Sequence, residues 1–335
     1  HEKSRRIIYK IGVLNEKRCN TTGKSNTSIG SSALGNNETG SQNIALGVRS
    51  LFSDFSGNSN VAIGNNSLFK NKADSNIAIG TNSMYNNITG SNNVAMGNKA
   101  LYSDFSGNSN VAIGYQALYR NTADNNTAIG IKSMYNNITG TFNTAIGTNS
   151  LNTNSTGDYN VAIGYEALYD NTADSNTALG YNAGRNLTIG YNNTVLGYEA
   201  RASADDASNE ITLGNTDINI LRCATDSITS TSDRRDKKDI VPLGNLSGIK
   251  FIKRLKPVNF IWNMRDGKKR DIPGHGFIAQ DFQEVQKETG INIPGLVYDI
   301  NSDKLEASYG KLIPIMVQAI KDLNTEIEQF KMLFK

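Results

Sequence analysis

The stretch STSDRRDKKDI at residues 230–240 brings hydroxyl, amine and carboxylate side chains together over a short distance. Its serine at position 232 is followed by eight residues, seven of which are charged. A serine hydroxyl becomes a nucleophile when a neighbouring base takes its proton, and a lysine is such a base only when it is neutral. Charged runs of this kind are also typical of solvated linkers. On residue types alone, both interpretations stay open.

Other catalytic or metal-binding arrangements have few candidate residues. The chain contains two histidines, His1 and His275, and His275 in PGHGF suits a turn better than a general base. Its two cysteines, Cys19 and Cys223, offer no zinc spacing. No cluster of carboxylates marks the repeats as a glycan-degrading enzyme. We therefore expect no metal, no cofactor and no conventional hydrolase triad.

The charge distribution argues against a nucleic-acid or membrane partner. Residues 1–20 carry 6 − 2 = +4, residues 21–222 carry 10 − 14 = −4, and residues 223–335 carry 18 − 15 = +3. The long middle segment is acidic, which disfavours binding to nucleic acid or anionic lipid there. No apolar run approaches the roughly 18–20 residues of a membrane-spanning helix, so membrane insertion is not expected.

A glycine recurs at steps of 16 or 17 residues through this middle segment. The copies nest in a fifty-residue super-repeat, as in NVAIGNNSLF (60–69), NVAIGYQALY (110–119) and NVAIGYEALY (160–169). A unit this short cannot hold a helix pair, so each copy is predicted to be one rung of a parallel β-solenoid, with ~4.8 Å per rung. About twelve rungs give a rod of roughly 50–55 Å. The glycines are Gly30, Gly47, Gly64, Gly80, Gly97, Gly114, Gly130, Gly147, Gly164, Gly180, Gly197 and Gly214.

That length separates the two cysteines. Cys19 and Cys223 bracket the repeats and would lie near opposite ends of the rod. Because a disulfide needs Cα atoms within about 7 Å, we expect no disulfide between them within one chain.

Two columns of side chains recur in the repeats. In each strand, Val61 and Ile63 or their equivalents should share one face, and Asn60 and Ala62 the other. We expect two or three Ile, Leu or Met side chains per rung to form the core, with the alanines on the opposite face open to close approach by another surface. These alanines are Ala45, Ala62, Ala78, Ala95, Ala112, Ala128, Ala145, Ala162 and Ala178.

An aromatic residue follows the recurring Leu or Met in most rungs. This aromatic ladder has two interpretations, packing within or between chains and a platform for sugar rings. Its members are Phe52, Phe69, Tyr85, Tyr102, Tyr119, Tyr135 and Tyr169.

The repeat N-x-A-I-G-x-x-A-L over residues 25–215 resembles the head repeats of trimeric bacterial adhesins. That resemblance implies a β-roll in which three chains join. The rungs here are longer than the fourteen or so residues common in that family.

Three later motifs resemble a second family. They are SDRRDKKDI (232–240), GFIAQDFQEV (276–285) and YGKLIPIMVQAIKDLNTEIE (309–328). In this order they are similar to the intramolecular chaperone, or peptidase S74, domain that ends phage tail spikes and other trimeric viral fibres. The resemblance covers about residues 209–335. It implies a domain that trimerises, sets the upstream β-structure in register and then cuts itself off.

The resemblance also implies the catalytic residues. The nucleophile of the family falls on Ser232 and its lysine base on Lys237, and the cleaved bond would be Ser232–Asp233. The domain would act once, on its own chain, with no external substrate. Desolvation and the cations Arg234, Arg235 and Lys238 would lower the pKa of that lysine. Asp236 and Asp239 would oppose this shift unless they pair with the arginines.

The C-terminal end has helical spacing. Met316, Ile320, Leu323, Ile327, Phe330 and Phe334 follow at steps of four and three residues, which predicts the seam of a coiled coil. The alternative is an amphipathic helix packed on its own domain.

The sequence therefore predicts a mainly β protein with four parts. These are an N-terminal attachment segment (1–24), β-solenoid repeats (25–215), a linker ending at the cleavage site (216–232), and a small α+β chaperone domain (233–335) with a C-terminal helix (310–335). The expected protein is a homotrimeric viral fibre or spike on the virion surface, assembled in the host cytoplasm. Its partners would be itself, other virion proteins at the N-terminal end, and a host-surface glycan or receptor. The alternative is a bacterial surface adhesin or stalk with the same self-cleaving domain.

Overall fold

The chain folds into two compact units, His1–Asn215 and Thr216–Lys335. The computed structural model describes residues 9–11, 20–54, 56–218, 220–222, 232–243, 247–265, 270–299 and 305–333. Cys19, Cys223, His1 and Phe334 lie outside these residues, and so does the expectation that the cysteines stay unpaired. Within them, no helix is both long and apolar enough to cross a membrane.

The first unit is a parallel β-solenoid. In the described residues, thirteen three-residue strands form one sheet whose spatial order equals the sequence order. Each strand pairs in register with the next, so that Ala62 lies beside Ala78. This confirms the predicted solenoid of about twelve rungs. The strands are β1 Tyr9–Ile11, β2 Thr27–Ile29, β3 Ile44–Leu46, β4 Val61–Ile63, β5 Ile77–Ile79, β6 Val94–Met96, β7 Val111–Ile113, β8 Thr127–Ile129, β9 Thr144–Ile146, β10 Val161–Ile163, β11 Thr177–Leu179, β12 Thr194–Leu196 and β13 Ile211–Leu213.

The second unit combines small antiparallel sheets with helices. Strand β14 pairs with β15, and β16 pairs with β17. A 3-10 turn at Tyr309–Leu312 leads directly into the last helix. The elements are α1 Ser247–Ile252, β14 Val258–Asn263, β15 Arg270–Gly276, α2 Ala279–Thr289, β16 Val297–Tyr298, β17 Glu306–Ala307 and α3 Ile313–Met332.

Helix α3 packs on its own unit through one face only. Ile315, Ala319 and Asp322 are buried on that face. The described residues of the predicted coiled-coil seam, from Met316 to Phe330, lie elsewhere on the helix and are exposed, with Ile320 at 66% and Ile327 at 51%. One interpretation of the C-terminal pattern, a helix packed on its own domain, is therefore observed in α3, and the coiled coil stays a prediction. The helix is amphipathic against its own domain and also carries a second apolar stripe.

The recurring glycines allow neighbouring rungs to approach closely. Gly64 has a φ of +129°, and a Cβ built there would lie 2.7 Å from the carbonyl carbon of Gly80 in the next rung. A side chain at this position would therefore clash with the backbone as well as requiring an unfavourable conformation. This contact explains why glycine recurs in every repeat.

The alanine column points into the solenoid. Ala62, Ala112 and Ala162 are completely buried, as are Leu68, Leu118 and Leu168 from the far side of the rung. Val61 and Ile63 face outward instead and are half-buried. The grouping of these residues on two faces was predicted correctly, but the assignment of inside and outside was wrong. The interior of each rung is narrow, so an alanine methyl group fits opposite a leucine where a β-branched side chain would not.

Asparagines fill the rest of the interior. The asparagines immediately before the strands form one column, the strand ladder. In it, the backbone N–H of each asparagine donates to the side-chain Oδ1 of the asparagine one rung earlier, as from Asn60 to Asn43 at 2.9 Å. The side-chain amide donates across the rung, as from Asn43 Nδ2 to the Gly57 carbonyl at 2.7 Å. Hydrogen bonds of these two kinds therefore satisfy the buried amides of the strand ladder. The ladder comprises Asn26, Asn43, Asn60, Asn76, Asn93, Asn110, Asn126, Asn143, Asn160, Asn176 and Asn193.

A second column, the turn ladder, is interrupted by aspartates. Its members are Asn37, Asp54, Asn71, Asn87, Asp104, Asn121, Asn137, Asn154 and Asn171, and all are buried. At three places where asparagines follow one another, Nδ2 donates to the preceding Oδ1, as from Asn87 to Asn71 at 2.7 Å. An ionised aspartate has no proton to donate in this way. Asn37 Oδ1, one rung before Asp54, is buried and has no hydrogen-bond partner.

Burial favours the protonated form of both aspartates. Desolvation raises the pKa of Asp54 from 3.8 to about 6, although Gly57 N–H and the Asn71 amide donate to it. Desolvation likewise raises the pKa of Asp104 to about 7. The nearest like charges, Asp74 and Asp124 respectively, act in the same direction.

These carboxyls should make the solenoid less stable as the pH rises. The folded state holds their protons more tightly than the unfolded chain, so their stabilising contribution is complete below about pH 4 and is lost as the pH passes 6 to 7. Replacing Asp54 and Asp104 by Asn should therefore raise the free energy of unfolding at pH 8, on the order of 2 kcal/mol per site. It should have little effect at pH 4.5.

Thermal unfolding at the two pH values measures this difference. Asp206→Asn is the matched control because Asp206 is exposed. An equal gain at both pH values would show that the two carboxyls do not titrate in this range.

Candidate self-cleavage site and aromatic surface

One tight turn organises the charged stretch. Arg234–Asp236 form a 3-10 turn, and the backbone N–H of Lys237 donates to the Arg234 carbonyl at 3.2 Å. The carboxylate of Asp233 caps this turn by accepting from the backbone N–H of Arg235 at 2.8 Å. Aspartate is a favoured capping residue because its short side chain reaches these N–H groups. The turn reverses the chain between positions 232 and 237.

This reversal brings the two predicted catalytic residues together. Lys237 Nζ lies 2.6 Å from Ser232 Oγ, within hydrogen-bonding distance. Both residues are exposed in the single chain. The contact has the geometry required for proton transfer from the hydroxyl to the amine once the amine is neutral.

The charges around this contact pair differently from the sequence expectation. Arg235, expected to act on the lysine, binds both carboxylate oxygens of Asp233, with Nη2 to Oδ2 at 2.6 Å and Nε to Oδ1 at 3.1 Å. This ion pair lowers the pKa of Asp233 and raises that of Arg235. The carboxylate partner of this arginine is thus Asp233 and not Asp236 or Asp239. This pair was not predicted, because side chains two residues apart share a face in a strand, whereas the stretch folds as a 3-10 turn.

The other titratable candidate does not form a catalytic group. His275 is exposed in β15 and lies opposite Asn259 in the sheet. It lines a shallow depression with Asn259, Phe260, Ile261, Pro273 and Gly274, none of which is a nucleophile or a carboxylate. Among the described residues, no group of three or more His, Cys, Asp or Glu side chains is arranged to hold a metal ion.

The two later motifs build one core. The Tyr309 hydroxyl donates to the Phe277 carbonyl at 2.9 Å and accepts from the Phe277 N–H at 3.1 Å. The rings of Phe277, Phe282 and Tyr309 are in mutual contact. Residues 276–285 and 309–328, far apart in sequence, therefore meet in one hydrophobic cluster with Phe251, Leu296 and Ile315.

A comparison with protein families identifies this part of the chain. A family model described as chaperone of endosialidase matches residues 232–291. Residues 232–291 are therefore similar to the Peptidase_S74 family. The match begins at Ser232 and includes α1, α2 and the β14–β15 hairpin. Peptidase_S74 is a family of self-cleaving chaperone domains, and such a domain after a β-solenoid is the arrangement of a fibre-like or tail-spike-like protein. The motif at 309–328 lies beyond the matched residues.

Searches of curated proteins and of solved structures returned no match.

The predicted aromatic ladder is a continuous stack through six rungs. From Phe52 to Tyr135, successive ring centroids lie 4.9–5.4 Å apart and the planes are within 16° of parallel. Asn152 interrupts the column, so Tyr169 stands apart and contacts Arg185 at 5.2 Å instead. Because each ring covers the face of the next, the stack offers a ligand mainly ring edges and hydroxyls. The sequence analysis missed a second stack, formed by Tyr165, Tyr181 and Tyr198.

Cations border the first stack. Lys99 and Lys132 lie 5.9 and 5.8 Å from the ring centres of Tyr102 and Tyr135, and Lys70 lies 5.7 Å from that of Tyr85. The positions three before and one after each ring include Arg49, Lys70, Lys99, Arg120 and Lys132 and contain no acidic residue. This basic aromatic surface differs in sign from the solenoid as a whole.

Proposed function

We propose that this chain is a homotrimeric viral fibre or spike protein that acts in host attachment. Its C-terminal domain would direct trimerisation and folding and then be released by cleavage after Ser232. The observation that carries the proposal is the 2.6 Å contact between Lys237 and Ser232 at the first residue of the Peptidase_S74 match, downstream of a β-solenoid. The protein would reside on the virion surface after assembly in the host cytoplasm, with other virion proteins at its N-terminal end.

Self-cleavage is a net hydrolysis in this proposal. Neutral Lys237 accepts the proton of a Ser232 hydroxyl, whose oxygen attacks the carbonyl carbon of the scissile peptide. The amine of Asp233 leaves with a proton, and one water then hydrolyses the ester. The products are a carboxylate on Ser232 and a new amino terminus on Asp233.

Ring geometry links this reaction to assembly. Attack by Ser232 on its own carbonyl carbon would close a four-membered ring, so cleavage after Ser232 is better served by the hydroxyl of another copy. Lys237 is exposed in the single chain, and a neighbouring copy could also supply the desolvation that favours its neutral form. The proposal therefore makes cleavage depend on the oligomer.

Two exposed apolar surfaces support a trimer. The stripe on α3 is one of them. The other is the outer face of the solenoid strands, where the first and third residue of every strand from β2 to β13 is Val, Ile, Leu, Met or Thr. An apolar surface of this length is typical of an interface. The outer strand face thus replaces the alanine column as the expected contact between chains.

A bacterial surface adhesin or stalk protein is the second candidate. The N-x-A-I-G repeats favour it, since they resemble adhesin heads. A trimer and a self-cleaving domain would be common to both candidates.

Replacing either dyad residue should stop cleavage. We expect the wild type to yield a new N-terminus at Asp233, Ser232→Ala to stay full length, and Lys237→Ala to be slowed at least about 100-fold, because general-base catalysis contributes that much. Intact mass and denaturing gels on folded protein measure this. Lys256→Ala removes the same charge from an exposed position outside this stretch and should cleave normally.

Two outcomes would change this proposal. Full-length wild-type protein under folding conditions would show that the dyad is inactive. A new N-terminus at Ser232 would indicate attack on the preceding carbonyl through a five-membered ring, within one chain.

A charge in the α3 stripe should dissociate the oligomer. Ile320→Glu in the uncleaved Ser232→Ala background places a carboxylate in the proposed seam, where burying it is unfavourable. We expect sedimentation to change from trimer to monomer at micromolar concentration. Thr325→Glu, which adds the same charge outside the stripe, should leave the trimer intact. A monomeric Ser232→Ala protein would contradict the trimer.

The basic aromatic surface is our proposed site for a host-surface glycan. Stacked rings leave hydroxyl-bearing edges, and the bordering cations favour acidic sugars. Replacing Lys99 and Arg120 by Ala should lower binding to acidic glycans about tenfold and reduce its salt dependence. A glycan array at two salt concentrations measures this. Arg201→Ala is the control, and unchanged binding in the double variant would exclude this surface.

A further inference from the structure

The contact between Lys237 and Ser232 depends on how the chain between them is folded. Five residues in extended conformation span roughly 16 Å, yet the two side-chain atoms lie 2.6 Å apart. The intervening turn is therefore a condition for the dyad. What stabilises this turn determines how often the dyad is assembled.

Hydrophobic burial does not hold this turn. Every residue from 232 to 243 is exposed, and none of Arg234–Asp236 is buried. The turn rests on polar contacts alone. Its backbone bonds are long, with Asp236 N to the Asp233 carbonyl at 3.3 Å and Lys237 N to the Arg234 carbonyl at 3.2 Å. Apart from the contact between Lys237 and Ser232 itself, the shorter contacts all involve the side chain of Asp233.

Asp233 makes two kinds of contact with the same residue. Its Oδ1 accepts from the backbone N–H of Arg235 at 2.8 Å, and its two oxygens bind the guanidinium group, with the shortest distance 2.6 Å to Nη2. A planar guanidinium group fixes the orientation of a carboxylate better than a point charge does. The backbone hydrogen bond and the ion pair thus hold Asp233 and Arg235 together at two points, at the start of the turn.

We propose that Asp233 and Arg235 form a positioning pair that holds Lys237 against Ser232. The pair touches neither the attacking oxygen nor the base, and it acts by populating the turn. This role rests on the self-cleavage proposed above and adds a function for two charges that the dyad itself does not use. Arg235 also keeps the carboxylate ionised by lowering the pKa of Asp233.

The neighbouring arginine provides a matched control. Arg234 precedes Arg235 and carries the same charge, but within the described residues it makes no ion pair with Asp233. Arg235→Ala should slow cleavage about three- to tenfold, a modest factor because exposed pairs are weak. Arg235→Lys should restore part of the rate, and Arg234→Ala, which removes the same charge without breaking the ion pair, should slow cleavage less than Arg235→Ala does. Added salt should slow the wild type and leave Arg235→Ala unaffected.

The rates would overturn the proposal if Arg235→Ala matched the wild type, or if Arg234→Ala slowed cleavage equally. A thermal melt of each variant in the Ser232→Ala background separates positioning from folding, since loss of an exposed pair should leave the melting temperature unchanged.

A second measurement is independent of cleavage. In the uncleaved Ser232→Ala protein, amide hydrogen exchange at Arg235 and Lys237 should be slowed by the turn. Adding Arg235→Ala should remove that protection, whereas Arg234→Ala should not. Unprotected amides in the Ser232→Ala protein would refute the pair even if cleavage occurs, and protected amides with no wild-type cleavage would refute only the self-cleavage.

Discussion

The narrow interior of each rung is the constraint on which the rest of the structure depends. It has room for an alanine methyl group, one Leu or Met, and asparagine side chains bonded from rung to rung. The larger β-branched residues of each strand are consequently left outside. A fold that fills its interior with small and polar groups gains little from burying apolar surface, and it displays apolar surface along its length. The stability of one chain and its tendency to associate thus have the same cause.

The asparagine ladders order each rung, but they do not specify which rung pairs with which. A shift by one rung replaces most interior asparagines with equivalent ones, so hydrogen bonding within the ladders discriminates poorly between registers. The exceptions, Asp54 and Asp104, carry that information within the turn ladder. A separate domain that sets the register of the chains suits such a repeat, because hydrogen bonds within the ladders alone leave the register poorly determined.

The sequence predicted the architecture well and the packing less well. The recurring glycine and the 16–17-residue step are enough to predict the solenoid, since close contact between rungs such as Gly64 and Gly80 requires glycine. The alternation of Val61 and Ala62 identified two faces, but which one is inside depends on the width of the rung, a property of the folded coil. Hydrophobicity alone favours the valine in the interior of the rung, but the narrow interior accepts only the smaller alanine.

At the candidate site, the identity of the dyad residues was predicted from the sequence, and the contacts around them were not. Ser232 and Lys237 came from a family resemblance, and the structure brings their side-chain atoms into contact. The pairing of Asp233 with Arg235 was not predictable, because the stretch offers several acids and bases and their partners are chosen by a single turn of backbone. The turn expected at His275 was wrong, because strand β15 runs from Arg270 to Gly276 through a segment whose proline and glycines disfavour strands.

The placement of the turn on one side of the proposed scissile bond has a further consequence. Asp233, Arg235 and Lys237 all follow that bond, whereas the serine hydroxyl precedes it. Cleavage of this bond would leave the nucleophile Ser232 and the base Lys237 on different polypeptides. The capping residue Asp233 would stay on the same product as Lys237. Neither product would retain a working protease, so the proposed reaction would leave no active site that can cut other proteins.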